Sequence, residues 1–434
     1  MSLMSTRARL RAPISVTVAR RVGWGVLDQG ISSLSNFVLG IIAARSLSAP
    51  EFGTFALAFV TFSFIINASR GPSTDPLMVR FSGVPRERWR PAAGAAAGTA
   101  LSAGVLSGIL CLVVGALLGG AVGAAFVALA VGLPGILLQD SYRFAFFSLG
   151  QGHRAFINDL VWGVLQTATL AVLVISDHLT ITSCLLAFGG TATLAAGFGW
   201  WQLRIAPHVG RTRSWLVEQR SLGGRYLIEN VSIGGARQVR MVALGALAGL
   251  ASVAEVRAAE ILMGPFMTLL AGISQVSVPE AREVLLSEPR RLVRFCLTLG
   301  GIQGAGAALW TVTVLIVLPA GLGELLIQDL WGPTQKLLLP LGLVLVLGCF
   351  ENAASAGLRS LGASRRSLAC QLTEAGLYVV LGGLGAELGG AYWSMWGVFA
   401  AMSLGQIMWW TQLRRGLRDH VVVHEAAPSL ASER

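Results

Sequence analysis

Arg237 and Arg240 stand three residues apart in Arg225–Leu250, RYLIENVSIGGARQVRMVALGALAGL, a run otherwise apolar enough to cross a bilayer. An ionised side chain at bilayer depth costs at least about 2.5–3.5 kcal/mol on insertion scales, so such residues face water, a counter-charge or a ligand. Two guanidiniums side by side suit a phosphate or diphosphate, because each can offer two parallel N–H donors to phosphate oxygens. At about 100° per residue, Glu229, Ser232, Ala236 and Arg240 fall close to one line, with Arg237 beside them. Leu227, Val231 and Val242 lie on the far side, although Leu247 interrupts the stripe and Gln238 falls opposite it. Two readings stay open. The arginines form a cationic wall for an anion, or they are structural, pairing with Asp28, Glu229 or Glu260, or lying nearer the interface in a span that begins later.

Other polar residues in apolar runs extend the set. Asp28 and Asn36, in the first run, could line the same cavity as Glu229, and either carboxylate could take up a proton in a coupled cycle; helix-to-helix hydrogen bonding is the competing account. Asp140 and Arg143, at i and i+3, are expected to pair with each other at the end of the fourth run. Glu255, Arg257 and Glu260 are expected at or just beyond the outer end of the eighth run, as an exterior gate. Glu351 and Glu374 are acids in the second half with no assigned role. The five histidines lack ligand spacing, and the five cysteines all fall in or near apolar runs, which argues against a metal centre or a disulfide framework. No P-loop, nucleophile elbow or paired-carboxylate sugar site is present, so neither catalysis nor a cofactor is expected.

The elements that must position these groups are membrane spans. The chain has 434 residues, 54% hydrophobic and 13% charged, with a mean hydropathy of +0.67; soluble domains carry about 25% charged residues. About twelve apolar runs of about 20 residues each match a hydrocarbon core about 30 Å thick. The net charge of +11 reads as arginine in cytoplasmic loops, which sets topology, and not as a nucleic-acid footprint. The resulting plan is all-α and polytopic. Residues 1–21 form a basic cytoplasmic segment, 22–203 a six-helix bundle, 204–224 a cytoplasmic linker, 225–413 a second six-helix bundle and 414–434 a cytoplasmic tail. The first span is expected to be retained and not cleaved as a signal peptide.

Two local matches relate the halves. Ser46-Leu47-Ser48-Ala49-Pro50-Glu51 is similar to Leu250-Ala251-Ser252-Val253-Ala254-Glu255, and Ser148-Leu149-Gly150 with Arg154 is similar to Ser360-Leu361-Gly362 with Arg366. Six spans per half insert both halves in the same sense, a parallel repeat with its pseudo-two-fold axis along the membrane normal. Asn36 then corresponds to Arg240 and Ser33 to Arg237, so the polar faces of spans one and seven answer each other.

The first half also carries a resemblance. Asp28-Gln29-Gly30, the turn Arg45-Ser46-Leu47-Ser48-Ala49-Pro50-Glu51-Phe52-Gly53, and the series Gln139-Asp140, Arg143, Phe146-Phe147, Gly150, Arg154-Ala155, Asp159 and Trp162 resemble bacterial polysaccharide flippases. These are the polysaccharide transporter branch of the multidrug/oligosaccharidyl-lipid/polysaccharide exporter superfamily. The likeness in motifs is strongest over residues 22–162; the second half diverges more. It implies a V-shaped pair of six-helix bundles, alternating access, a polyprenyl-pyrophosphate-linked oligosaccharide as substrate, and multi-pass residence in a bacterial cytoplasmic membrane with both termini inside. Polymerase or glycosyltransferase machinery would be a further partner, beside membrane lipid. Arg237 and Arg240 take the cavity-lining role by location, since they match no motif of the family. A drug exporter of the same superfamily is the alternative; it would more naturally present an acidic cavity to cations. A membrane glycan polymerase or ligase fits less well, because the longest exterior loop, Pro319–Gln335, is short and lacks an acid, base or arginine cluster.

Overall fold

The computed structural model describes residues 16–431. Among them the chain is helical throughout, with no strand. The first half comprises α1 (Val16–Ser46), α2 (Ala49–Arg70), the short α3 (Thr74–Phe81), α4 (Arg86–Leu118), α5 (Gly120–Ser148), α6 (Gly152–Ile175) and α7 (Ile181–Leu203). The second comprises α8 (Thr212–Ala248), α9 (Leu250–Ser287), α10 (Leu292–Val317), the short α11 (Leu322–Ile327), α12 (Trp331–Ser360) and α13 (Ser364–Ala431). α13 is two helices, because Gly389 and Gly390 leave helical geometry, and the positive φ of Gly390 lets the chain reverse there. Counting its two halves, twelve long helices result, six per bundle.

Among the described residues, nine helical stretches are long and apolar enough to cross a membrane, the last of them covering both halves of α13. α8 and α9 are not among the nine; these are the helices that carry Arg237, Arg240, Arg257 and Glu260. The expected linker 204–224 is shorter than its charge suggested. Helix α8 starts at Thr212, because Arg213, Arg220 and their neighbours are good helix formers with no proline or turn sequence to stop them. The expected tail likewise continues as helix from α13.

The packing repeats between halves. α4 lies against α5 as α10 lies against α12; α1 against α6 as α8 against α13; α2 against α5 as α9 against α12. The bundles meet through α1 and α2 on one side and α8 and α9 on the other. One buried core runs across both bundles at the end that holds Leu47, Leu318, Ile327 and Trp331. At the arginine-rich end each bundle keeps a core of its own, around Trp89, Tyr142 and Phe146 in the first and Leu285, Leu358 and Leu413 in the second. The first of these also takes in Trp215 of α8, so the bundles share one core at one end, and at the arginine-rich end they separate on the α1–α9 side alone.

The two seams between bundles differ. α2 packs closely from the α8–α9 turn down the length of α8. A Cβ on Gly53 would collide with the Leu250 carbonyl, and one on Gly71 with the backbone of Leu227 at the opposite end. Between them Gln238 donates to Thr61 at 2.7 Å and Asn230 to the Asn67 carbonyl at 3.0 Å. α1 and α9 are tight only near Gly40 and Ile261; Gly30 and Gly264, further toward the arginine-rich end, face open space. That seam splays and leaves a cleft.

Candidate functional site

Gly249 is the single residue between α8 and α9, and its φ of +86° allows the reversal. Positions equally far from it on the two helices therefore lie side by side. Arg237 and Arg240 precede it, Arg257 and Glu260 follow it, all roughly 12–18 Å from the turn at 1.5 Å per residue. That is close to the middle of a bilayer core about 30 Å thick. The expected exterior gate is thus corrected. Arg257 and Glu260 lie two to three turns inside α9, since the helix begins at Leu250 directly after the turn. Only Glu255 stays nearer that end, with Lys336 as its electrostatic neighbour.

Glu260 gathers three guanidiniums. Its Oε2 is 2.6 Å from Arg237 Nη2 and 3.4 Å from Arg257 Nη1, and its Oε1 is 3.9 Å from Arg240 Nη2. Three cations meet one carboxylate, an excess of two positive charges among the described residues. The side chains differ in access: Arg237 is 46% exposed, Arg257 and Glu260 about an eighth, and Arg240 1%. Arg257 lies over the ring of Phe59 at 4.4 Å and Arg240 over Tyr378 at 5.1 Å. Arg240 also contacts Met241 Sδ at 3.6 Å and Met395 Sδ at 3.8 Å. The buried Nε of Arg240 and that of Arg257 have no acceptor, so donor capacity is left over at a depth where unmet donors are costly.

Two cavities flank the cluster and share Arg257. The larger, about 480 Å3, lies between α1 and α9 and is lined by Ser33, Leu34, Asn36, Phe37, Phe59, Arg257 and Glu260 among others. The smaller, about 230 Å3, lies between α2 and α8 and is more polar, with Ser63, Asn67, Asn230, Arg237 and Arg257. Arg237 and Asn36 thus reach cavities. Arg240 lines neither; it points under α13 and acts on the cavity through the charge it shares with Glu260. Asn36 also borders a recess with Asp159, Trp162 and Gln166. The side chain of Glu229 lies outside the described residues.

Asp28 is elsewhere. It is fully buried inside the first bundle, where Arg143 donates to its Oδ2 from Nε at 2.7 Å and from Nη2 at 2.5 Å. Arg143 Nε also lies 3.1 Å from Asp159 Oδ2, whose other oxygen accepts from Gln139 at 2.7 Å. Asp140 and Arg143 do not pair with each other as their spacing suggested. Asp140 holds Arg70 through two bonds of 2.9 and 2.7 Å, because three residues along α5 separate their directions by about 60° and each meets a different helix. These contacts knit α1, α2, α5 and α6 together and do not line the cleft.

Sequence reasoning missed Phe59, Asn67, Asn230 and Tyr378, which carry no distinguishing signal among other span residues. Arg257 and Glu260 were named from the sequence as a gate, and Glu260 as a pairing partner of the arginines; the signal that would have placed them at the cluster is that both pairs lie about 8–12 residues from Gly249. In the second bundle Trp409 Nε1 donates to Glu374 at 2.6 Å. All five cysteines are buried as free thiols, and among the described residues no group of His, Cys, Asp and Glu could hold a metal ion.

No protein-family model matches the chain, and no curated protein matches it. Solved structures do. A MATE family multidrug resistance transporter of the MOP superfamily, in an inward-facing conformation, aligns with TM-score 0.69 and 15% identity over 89% of this chain and 95% of its own. A multidrug resistance MATE family transporter in an outward-facing conformation aligns at 0.57 and 15%, over 93% and 96%. A MOP superfamily transporter from Pyrococcus furiosus, described as having a binding pocket of reversed polarity, aligns at 0.58 and 14%, over 93% and 95%. The fold is that of these transporters.

Proposed function

We propose that the protein is an alternating-access flippase for polyprenyl-pyrophosphate-linked oligosaccharides, with the diphosphate held at the Arg237–Arg257–Glu260 cluster. The observation that carries this reading is the excess of guanidinium over carboxylate among the described residues, with an unmatched Nε–H donor on Arg257, beside a cleft at mid-depth. A diphosphate diester carries about two negative charges, which this excess neutralises, and its oxygens suit bidentate guanidinium donors. Arg237 and Arg257 reach the anion directly; Arg240 adds field from behind. The splayed α1–α9 seam supports a lipid-linked substrate, since a polyprenyl tail can stay in hydrocarbon while the head group enters between the bundles. The shared core at one end and the α1–α9 separation at the other support the alternation, and the higher similarity to an inward-facing relative than to an outward-facing one fits a cleft that opens at the arginine-rich, cytoplasmic end.

A multidrug exporter is the second reading, favoured by structural neighbours that are multidrug resistance transporters. The charge of the cleft sets it against cationic drugs. One experiment separates the two. Reconstituted protein is assayed for translocation of a lipid-linked diphosphate oligosaccharide and, in parallel, for efflux of cationic dyes. Lipid translocation lost in Arg237→Gln with Arg257→Gln supports the flippase. Dye efflux with no lipid translocation by the unaltered protein removes it.

A further inference from the structure

The two cavities that share Arg257 differ in chemistry. The larger, between α1 and α9, has Leu34, Phe37, Phe59 and Ile261 in its wall. The smaller, between α2 and α8, sets Ser63, Asn67 and Asn230 beside Arg237 and Arg257. Its polar groups are held in place by bonds of their own. Asn230 Nδ2 donates to the Asn67 carbonyl at 3.0 Å and to Asp75 Oδ2 at 3.2 Å. Asn67 Nδ2 donates to the Ser63 carbonyl at 2.7 Å, and Asn67 Oδ1 accepts from Arg70 Nη1 at 3.2 Å. Ser63 Oγ donates to the Phe59 carbonyl at 2.9 Å.

These bonds decide what the wall can still take. An amide has two N–H donors and an oxygen with two lone pairs; a hydroxyl has one donor and two lone pairs. Both N–H groups of Asn230 are spent, so its oxygen is what it offers a ligand. The hydroxyl of Ser63 offers lone pairs, and Asn67 one donor and one lone pair. Fixed acceptors of this kind suit ligand hydroxyl groups and not phosphate oxygens, which can only accept. Phe64 adds carbon surface: it lines the cavity, and its ring lies over Gly234 and Gly235, where a Cβ would come within 3.3 and 3.6 Å of it. The negative face of an aromatic ring attracts C–H groups such as those on one side of a pyranose. A cavity of about 150 Å3 holds benzene, so about 230 Å3 has room for one sugar ring and not for a chain of them.

We propose that the α2–α8 cavity is the subsite for the first sugar of the glycan, the one bonded directly to the diphosphate. This rests on the diphosphate reading of the arginine cluster. With the diphosphate at Arg257, which both cavities share, the substrate has one orientation: sugar toward Asn67 and Asn230, lipid toward Leu34, Phe37 and Ile261. Ser63 and Asn230 accept from hydroxyl groups of that sugar, and Asn67 exchanges a bond with another. The pair of cavities thus sorts the two ends of an amphiphile to opposite sides of one charged cluster.

The test measures affinity of the purified full chain for bare polyprenyl diphosphate and for the same lipid carrying one glucose, galactose or N-acetylglucosamine. At least one glycosyl lipid should bind several-fold more tightly than the bare lipid. One hydrogen bond is worth about a factor of five, so Ser63→Ala and Asn230→Ala should each cut that preference about fivefold and leave affinity for the bare lipid within about twofold. Ser63→Ala removes a single oxygen and decides the matter should Asn230→Ala fold poorly. Gln238→Ala is the control: it breaks the 2.7 Å bond to Thr61 in the same seam without lining the cavity, and the preference should survive it. Equal affinity of the unaltered protein for all four lipids would overturn the proposal and leave the diphosphate site standing. So would losses in Ser63→Ala and Asn230→Ala that are equal for bare and glycosyl lipid, which would make the two residues structural. Failure to bind bare polyprenyl diphosphate, or binding untouched by Arg237→Gln with Arg257→Gln, would instead strike the functional reading beneath it.

Discussion

Replacing Arg240 with methionine should separate stability from function. The guanidinium of Arg240 is 1% exposed and 3.9 Å from its nearest carboxylate oxygen, its Nε has no acceptor, and its other close contacts are thioether sulfurs. An unmet buried donor costs about 1–3 kcal/mol, and the charge itself costs several more at this depth. Against this stand a desolvated cation–π contact with Tyr378 worth about 2 kcal/mol and a share of Glu260, which Arg237 approaches far more closely. The sum is near zero, the usual outcome for a buried charge replaced by an apolar residue of similar volume, and a flexible thioether would pack beside Met241 and Met395. Thermal unfolding of Arg240→Met is therefore expected within about 1 kcal/mol of the unaltered protein, or higher. Diphosphate binding should suffer. A cation about 5 Å from the anion contributes about 3 kcal/mol at an effective dielectric of 20, and about half of that in a wet cleft, so affinity should fall about 10–30-fold. The assay is binding of a lipid-linked diphosphate to the purified variant, beside its melting curve. A variant that melts far lower while binding within threefold of normal would refute the reasoning and make Arg240 a structural residue.

Other variants test neighbouring parts of the structure. Glu260→Gln removes the carboxylate with which an anion competes, so diphosphate affinity should rise several-fold while stability falls by about 3 kcal/mol, as a counter-ion to buried arginines is lost; unchanged affinity in calorimetry would remove Glu260 from the site. Arg143→Lys should destabilise the first bundle by about 3 kcal/mol or more, because one ammonium cannot replace a guanidinium that touches both Asp28 and Asp159; normal yield and melting temperature would contradict this. Gly53→Leu forces α2 away from the Leu250 carbonyl, so spin labels at Ser46 and Ala251 should move apart relative to the unaltered protein, and an unchanged distance distribution would show that the end with the shared core does not depend on that contact.

Much of this architecture is legible in the chain, for reasons that are local. Span length, arginine-rich loops and the two matching turns each follow from a few consecutive residues, and they are enough for twelve helices in two similar bundles. The side chains are harder because span periodicity gives a direction about one helix, not the identity of the helix it meets. Arg237 could be placed toward the cleft from its own stripe. Asp28 could not, since its partner Arg143 lies 115 residues away, and a polar residue on α1 looks the same whether it faces the cleft or the interior of its bundle. Arg257 and Glu260 were misplaced through one residue: the depth of everything on α9 depends on α9 starting immediately after Gly249. The long run of α13 hides a boundary of the opposite kind, where hydropathy continues but Gly389 and Gly390 break the helix.

The uncancelled charge beside Glu260 has an electrical consequence. A cleft that opens alternately to two sides shifts its contents through the transmembrane voltage drop, so a charged empty cleft makes the carrier itself a voltage sensor. One elementary charge through 100 mV is worth about 2.3 kcal/mol, and two charges through half the drop come to about the same. Were the arginine-rich end inside, as proposed, a negative interior would draw the vacant protein toward the form open at that end. A bound diphosphate cancels the charge and frees the outward step from that pull. On the proposed function, the resting voltage would reset the carrier without acting on its cargo, and the vacant protein should give a capacitive current on a voltage step that the substrate silences.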